Sequence, residues 1–108
     1  MQSTKDLVMR YFNSWQNQDW KMMRHCLADR FSLDSGSMQF QSADQFTEFC
    51  MKGERWSKVQ LLDSLFQDSK ASILYEGQTE TGQKMRVAEF LHIEKDKISA
   101  AQVVITFL

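Results

Sequence analysis

Residues 87–93 read VAEFLHI, an apolar run with a carboxylate, Glu89, set into its middle. If the run is a strand, its side chains alternate between two faces, so Val87, Glu89, Leu91 and Ile93 share one side. An acid then stands on the apolar face. The flanking sequence extends the pattern: KMRVAEFLHIE (84–94) makes one strand, Glu-Lys-Asp-Lys (94–97) turns the chain, and ISAAQVVITFL (98–108) makes the last strand. Upstream, KVQLLDSLFQ (58–67) and KASILYEGQ (70–78) are two more hairpin-like strands, closed by Gln-Asp-Ser and by Thr-Glu-Thr-Gly-Gln.

Ahead of Trp56 the apolar period is helical. Leu7, Val8, Tyr11, Phe12 and Trp15 form one stripe of an amphipathic helix in TKDLVMRYFNSWQNQ, and Ser3 with Asp6 three residues on is a start signal of capping-box type. Asp19 caps a second helix over WKMMRHCLAD, with Trp20, Met23 and Leu27 on one side. FSLDS then alternates as a strand, SGS turns, and SMQFQ returns. Ser42 with Gln45 opens a third helix whose stripe is Phe46, Phe49 and Cys50, and Gly53 ends it. The order helix, helix, short hairpin, helix, four strands predicts an α+β fold, an antiparallel sheet with helices gathered on one face.

The 108 residues are most simply one domain, residues 1–108, and 43% hydrophobic with 25% charged residues is the composition of a globular chain. A net charge of −1 with acids and bases interspersed leaves no footprint for nucleic acid. The start MQSTKDLVMRYF lacks signal-peptide character, and no run approaches the roughly 20 apolar residues of a membrane span, so a cytoplasmic protein is expected. Cys26 and Cys50 fall inside helices without metal-ligand spacing, which predicts buried free thiols, no metal and no cofactor.

Two segments, MRYFNSWQNQDWKMMRHCLADRFSLDSG (9–36) and VAEFLHIEKDKISAAQVVI (87–105), resemble the nuclear transport factor 2-like superfamily, which includes the ketosteroid isomerases and the SnoaL-like polyketide cyclases. The resemblance spans the chain in element order. It implies a cone-shaped α+β barrel, a curved antiparallel sheet wrapped around the N-terminal helices with a pocket at the wide end. In the isomerase pattern a tyrosine of the first helix and an acid of the penultimate strand form an oxyanion hole, and an aspartate ending the first strand moves the proton. Tyr11 and Glu89 fall on the first two positions. At the third, core-facing Phe31 and Leu33 put Ser35 on the inward phase rather than Asp34, unless Asp34 turns inward at a strand end or bulge.

Three readings of Glu89 follow: a catalytic or ligand-binding acid, a structural carboxylate bonded to Tyr11 or a buried water, or an exposed residue on a shifted strand. Asp63 shares the alternating phase of Val59, Leu61 and Leu65; its ordinary reading is a solvated carboxylate, and if it faced the cavity it would pair with Glu89 as acid and base. Tyr11 is a core aromatic unless it touches Glu89. Trp15, Phe31, Trp56 and Tyr75, with Val103 and Ile105 on the final strand, are the expected ligand-binding lining, suited to a small apolar molecule. His25 and His92 form no hydrolase triad with a serine.

The opposite phase of the last two strands holds Ala88, Phe90, Val104 and Leu108 beside His92, Gln102 and Thr106, too apolar for water alone, which predicts a homodimer packed through the outer sheet face. The expected function is a dimeric pocket protein binding a small apolar ligand. The alternative is an isomerase-like or cyclase-like enzyme using Tyr11, Glu89 and Asp34 or Asp63 for acid/base chemistry on a lipophilic substrate.

Overall fold

The computed structural model describes residues 3–108. Helix α1 (Thr4–Gln16) begins where Ser3 Oγ accepts from the Asp6 amide at 3.1 Å, and it buries Leu7, Val8, Tyr11 and Phe12 along one stripe. A left-handed Gln18 (φ 57°) turns the chain, and the Asp19 carboxylate caps α2 (Trp20–His25) through the Met22 amide. Here the structure corrects the sequence reading: the helix stops at His25, and Leu27-Ala28-Asp29 begins strand β1 (Leu27–Asp34). The cause is tertiary. The Cys26 carbonyl accepts the Ile98 amide and Leu27 pairs with Ile98, so the helical signal of these residues yields to sheet pairing.

Strand β2 (Gln39–Phe40) returns against β1, and α3 (Ala43–Lys52) follows, capped by Ser42 Oγ on the Gln45 amide. Four long strands complete the chain: β3 (Trp56–Phe66), β4 (Lys70–Thr79), β5 (Lys84–Glu94) and β6 (Lys97–Phe107). They lie in one curved sheet of order β2-β1-β6-β5-β4-β3. The sheet is not wholly antiparallel, because β1 runs parallel to β6, the two being joined by the long excursion through α3 and the meander. Nor is it a closed barrel: β2 and β3 are its free edges.

One face of this sheet carries the core. Ala71, Ile73, Tyr75, Val87, Leu91, Ile98 and Ala101 cluster with the buried stripe of α1, Met23 of α2 and Phe46 of α3, around Phe31, which is fully buried. Burying the larger aliphatic, Phe and Met side chains of this set stabilises the fold by about 1.5–3 kcal/mol each. Arg24 reinforces the helical layer from outside, bridging Asp29 of β1 and Asp44 of α3 at 2.8 Å each. Both acids are exposed, so this bridge orients elements more than it stabilises them.

Strand β3 breaks simple alternation twice, with one extra residue between Ser57 and Gln60 and another between Leu61 and Asp63. Leu61 faces Tyr75 on the core side; after the bulge at Leu62, Asp63 faces Leu74 and Leu65 faces Ser72 on the outside. Opposite the start of β3, Gly77 of β4 lets the Trp56 indole lie on the sheet: an added Cβ would stand 2.7 Å from Trp56 Cε3 and 3.2 Å from Val59 Cγ2. Gly77→Ala should therefore displace Trp56 and destabilise the fold by about 1–3 kcal/mol, measured by urea unfolding together with a change in tryptophan emission. An unchanged midpoint and spectrum would show that the indole is not held against β4.

Candidate functional site

The core is not filled everywhere. Between the concave sheet face and helices α1 and α3 lies a cavity of about 120 Å³. Helix α1 contributes Tyr11, Phe12 and Trp15 to its wall; α3 contributes Phe46, Phe49 and Cys50; the strands supply Leu33, Phe40, Trp56, Tyr75, Val87, Glu89, Val103 and Ile105. Its volume is close to the roughly 150 Å³ that admits a benzene-sized guest. Met38, Phe49 and Ile105 at the rim are each more than a third exposed, so the mouth too is apolar.

Glu89 is the one carboxylate among the described lining residues, and it is 5% exposed. Both its oxygens are occupied. Tyr11 donates to Oε1 at 3.0 Å and Tyr75 donates to Oε2 at 2.5 Å. Strand parity explains the second contact: Ile73 sits opposite Glu89 and Tyr75 opposite Val87, which makes Tyr75 the diagonal inner-face neighbour, within reach of a long aromatic side chain. The first contact follows from the stripe of α1 that buries Leu7, Val8, Tyr11 and Phe12 against the same face.

Burial raises the Glu89 pKa above its ordinary value, while the bonds from Tyr75 and Tyr11 pull in the opposite direction without cancelling it. The two phenols are raised well above 10, first by burial and then by the charge of Glu89. The Cys50 thiol is pushed up to about 12 by burial and by Glu89, so it stays protonated and is a poor nucleophile. The result is a polar island of one carboxyl and two neutral phenols in an aromatic wall. Trp15 packs edge-on to Trp56 at 5.3 Å and tilts against Tyr75 at 5.5 Å, with Phe12 behind at 5.0 Å from Tyr75.

Of the residues singled out from sequence, Tyr11, Glu89, Trp15, Trp56, Tyr75, Val103 and Ile105 come together around this cavity. Phe31 does not: it lies in the solid core, 5.4 Å from the lining Phe46. Asp34 is exposed and turns outward to accept the Gly36 amide at 2.8 Å in the β1–β2 turn, whereas Ser35 lines the cavity, as the inward phase of Phe31 and Leu33 requires. Asp63 is likewise exposed, turned out by the bulge at Leu62, its carboxylate on the Ser64 amide at 2.8 Å. Sequence reasoning missed Val87 and Leu33 as lining and the role of the Tyr75 hydroxyl. That role was recoverable: pairing 70–78 with 84–94 across the Thr-Glu-Thr-Gly-Gln loop places Tyr75 beside Glu89.

Neither histidine reaches the cavity, and among the described residues no group of three or more His, Cys, Asp or Glu side chains could hold a metal. No described helix is long and apolar enough to cross a membrane. A lone buried carboxyl can accept or release one proton and can orient a ligand through hydrogen bonds; it has no second carboxylate here with which to divide acid and base roles.

No family model and no curated protein matches this chain. Solved structures do. An NTF2-like protein of unknown function from Cytophaga hutchinsonii superposes with a TM-score of 0.85 at 15% identity, over 100% of this chain and 93% of that one. A ketosteroid isomerase-like protein from Kribbella flavida gives 0.87 at 13% identity, over 95% and 77%. An LEH-like epoxide hydrolase from M. tuberculosis gives 0.81 at 12% identity, over 93% and 80%. At such identities the likeness is one of fold.

The native chain holds the Glu89 proton to higher pH than the unfolded chain does, so stability falls as pH rises from the ordinary value of 4.5 through the raised native value, then levels. Urea unfolding followed from about pH 4 to about pH 9 should show wild type losing up to about 1.4 kcal/mol per pH unit between the ordinary and the raised native value, and no more above it. Glu89→Gln should lack this component. Parallel curves for the two proteins would mean that the carboxyl titrates as in the unfolded chain.

Proposed function

We propose that this chain, built on the NTF2-like fold, is a homodimeric binding module for a small lipophilic molecule held in the cavity over Glu89. The observation that carries the reading is the Tyr11–Glu89–Tyr75 cluster, a satisfied polar island at the wall of an otherwise aromatic and aliphatic hollow. Apolar walls with a few convergent polar groups are what small-molecule sites consist of. Ligand binding asks only for shape and a hydrogen-bonding partner, and both are present. The outward aspartates, Asp34 and Asp63, favour binding over isomerase chemistry, which needs a base beside the acid.

A second reading, acid/base catalysis at Glu89, has one observation in its favour. Burial holds its carboxyl pKa above the ordinary carboxylate value, the direction a general acid requires. Proteins of similar fold include an isomerase-like protein and an epoxide hydrolase. Fold alone does not transfer those activities.

The dimer rests on the sheet's convex face, where Phe90 is 50% exposed beside Val104 and Leu65, each still more open. Ser72 is paired between Phe90 and Leu65, and Val104 is the diagonal neighbour of Phe90; these three side chains are the apolar positions that a second copy would cover by two-fold pairing.

Two measurements check these statements. Benzyl alcohol should shift the indole N–H resonances of Trp15 and Trp56 saturably, and Cys50→Trp, which fills the hollow, should abolish the shift; no perturbation of either indole would remove the binding reading. Sedimentation should give twice the chain mass of 12.7 kDa for wild type and the single mass for Phe90→Lys. A monomeric wild type would end the dimer.

A further inference from the structure

The hydrogen-bond direction of the Glu89 cluster says which ligands it can greet. Tyr11 and Tyr75 both point their protons at the carboxylate, one to each oxygen. While Glu89 is ionised, the cluster has no proton left to give. It presents only lone pairs, on the carboxylate and on the two phenol oxygens, together with a negative charge. At this cluster a ligand that binds by an acceptor, such as a ketone or an enolate oxygen, finds no donor; the other side-chain donors of the lining are the Ser35 hydroxyl, the Cys50 thiol and the Trp15 and Trp56 indoles. A ligand that brings a donor finds acceptors there.

The charge adds a second constraint. Groups facing Glu89 from the elements packed on it are Tyr11 from α1, Tyr75 from β4 and the neutral thiol of Cys50 from α3; its cross-strand neighbour on β6 is Val103. No Lys, Arg or His is among the described lining residues, so the cavity supplies no counter-charge. Around it stand the rings of Phe12, Trp15 and Trp56, and aromatic faces attract cations. Acceptor-only polarity at the Glu89 cluster, a carboxylate without a counter-charge and aromatic walls all favour the same guest.

Accepting the pocket reading above, we infer that the cavity takes a small amine as its ammonium cation, the charged head on the Glu89 carboxylate and the carbon skeleton against the aromatic wall. The apolar rim at Met38, Phe49 and Ile105 suits that skeleton, and the volume of about 120 Å³ restricts the buried part to a single ring or a short chain. Binding competes with a proton for the same carboxylate.

Benzylamine and benzyl alcohol differ chiefly in the charge of the head group, so calorimetry with the pair isolates it. Wild type should bind benzylamine about tenfold or more tighter than benzyl alcohol near pH 7, with benzylamine affinity rising from about pH 4 to about pH 8. In Glu89→Gln the preference and its pH dependence should vanish while benzyl alcohol still binds, which also shows that the variant is folded. If that variant does not fold, the comparison within wild type decides alone. Equal affinity, or a preference for the alcohol, overturns the cation inference and leaves the pocket reading standing; binding of neither probe to folded wild type overturns both.

Discussion

A carboxyl group taken out of water is costly unless something in the interior compensates it, and most of what is distinctive in this molecule follows from how Glu89 meets that requirement. Two phenols, from the first helix and from the neighbouring strand, each cover one oxygen. The two phenols stand 78 and 14 residues away in sequence, so the Tyr11 bond exists only when α1 is docked on the sheet and the Tyr75 bond only when β4 and β5 are paired in register. The compensation is incomplete, since burial outweighs the phenols and the acid is held above its ordinary pKa. A cluster of this kind ties the stability of the fold to one group: whatever ionises or neutralises Glu89 alters it.

The aromatic wall depends on equally local devices. Trp56 can line the cavity because Gly77 has no side chain to hold it away from β4. The bulges of β3 then decide what else looks inward. Were Leu62 paired opposite Leu74 in regular register, alternation from the inward Leu61 would carry Asp63 to the inner face opposite Ile73. The bulge turns that acid to solvent, and Glu89 is the one carboxylate among the described residues that line the cavity.

The edges of the sheet set the shape of the whole. Parallel pairing of β1 with β6 draws Leu27 out of the second helix, and Phe31 of the same strand is fully buried in the core. Beyond β1 the two-residue β2 is the far edge, and its Phe40 packs on Phe46 and Phe49 of α3 at 5.5 and 5.1 Å. That side of the cavity is walled by rings rather than by backbone, and its rim stays open.

From its residues alone the chain declares the element order, the capped starts of its helices, the span of β5 and the inward parity of Glu89, because these depend on neighbours one to four positions away. The resemblance in those elements pointed to the nuclear transport factor 2-like fold, which the superpositions show. Local periodicity also put Ser35 rather than Asp34 on the inward phase. It could not say that Leu27-Ala28-Asp29 leaves the helix, that β1 lies parallel to β6, that Phe31 sits in solid core while its neighbours line a hollow, or that a bulge at Leu62 is what exposes Asp63. Each of those depends on a partner strand far away in the chain, and a sheet's register and bulges are properties of the pair, absent from either strand read singly.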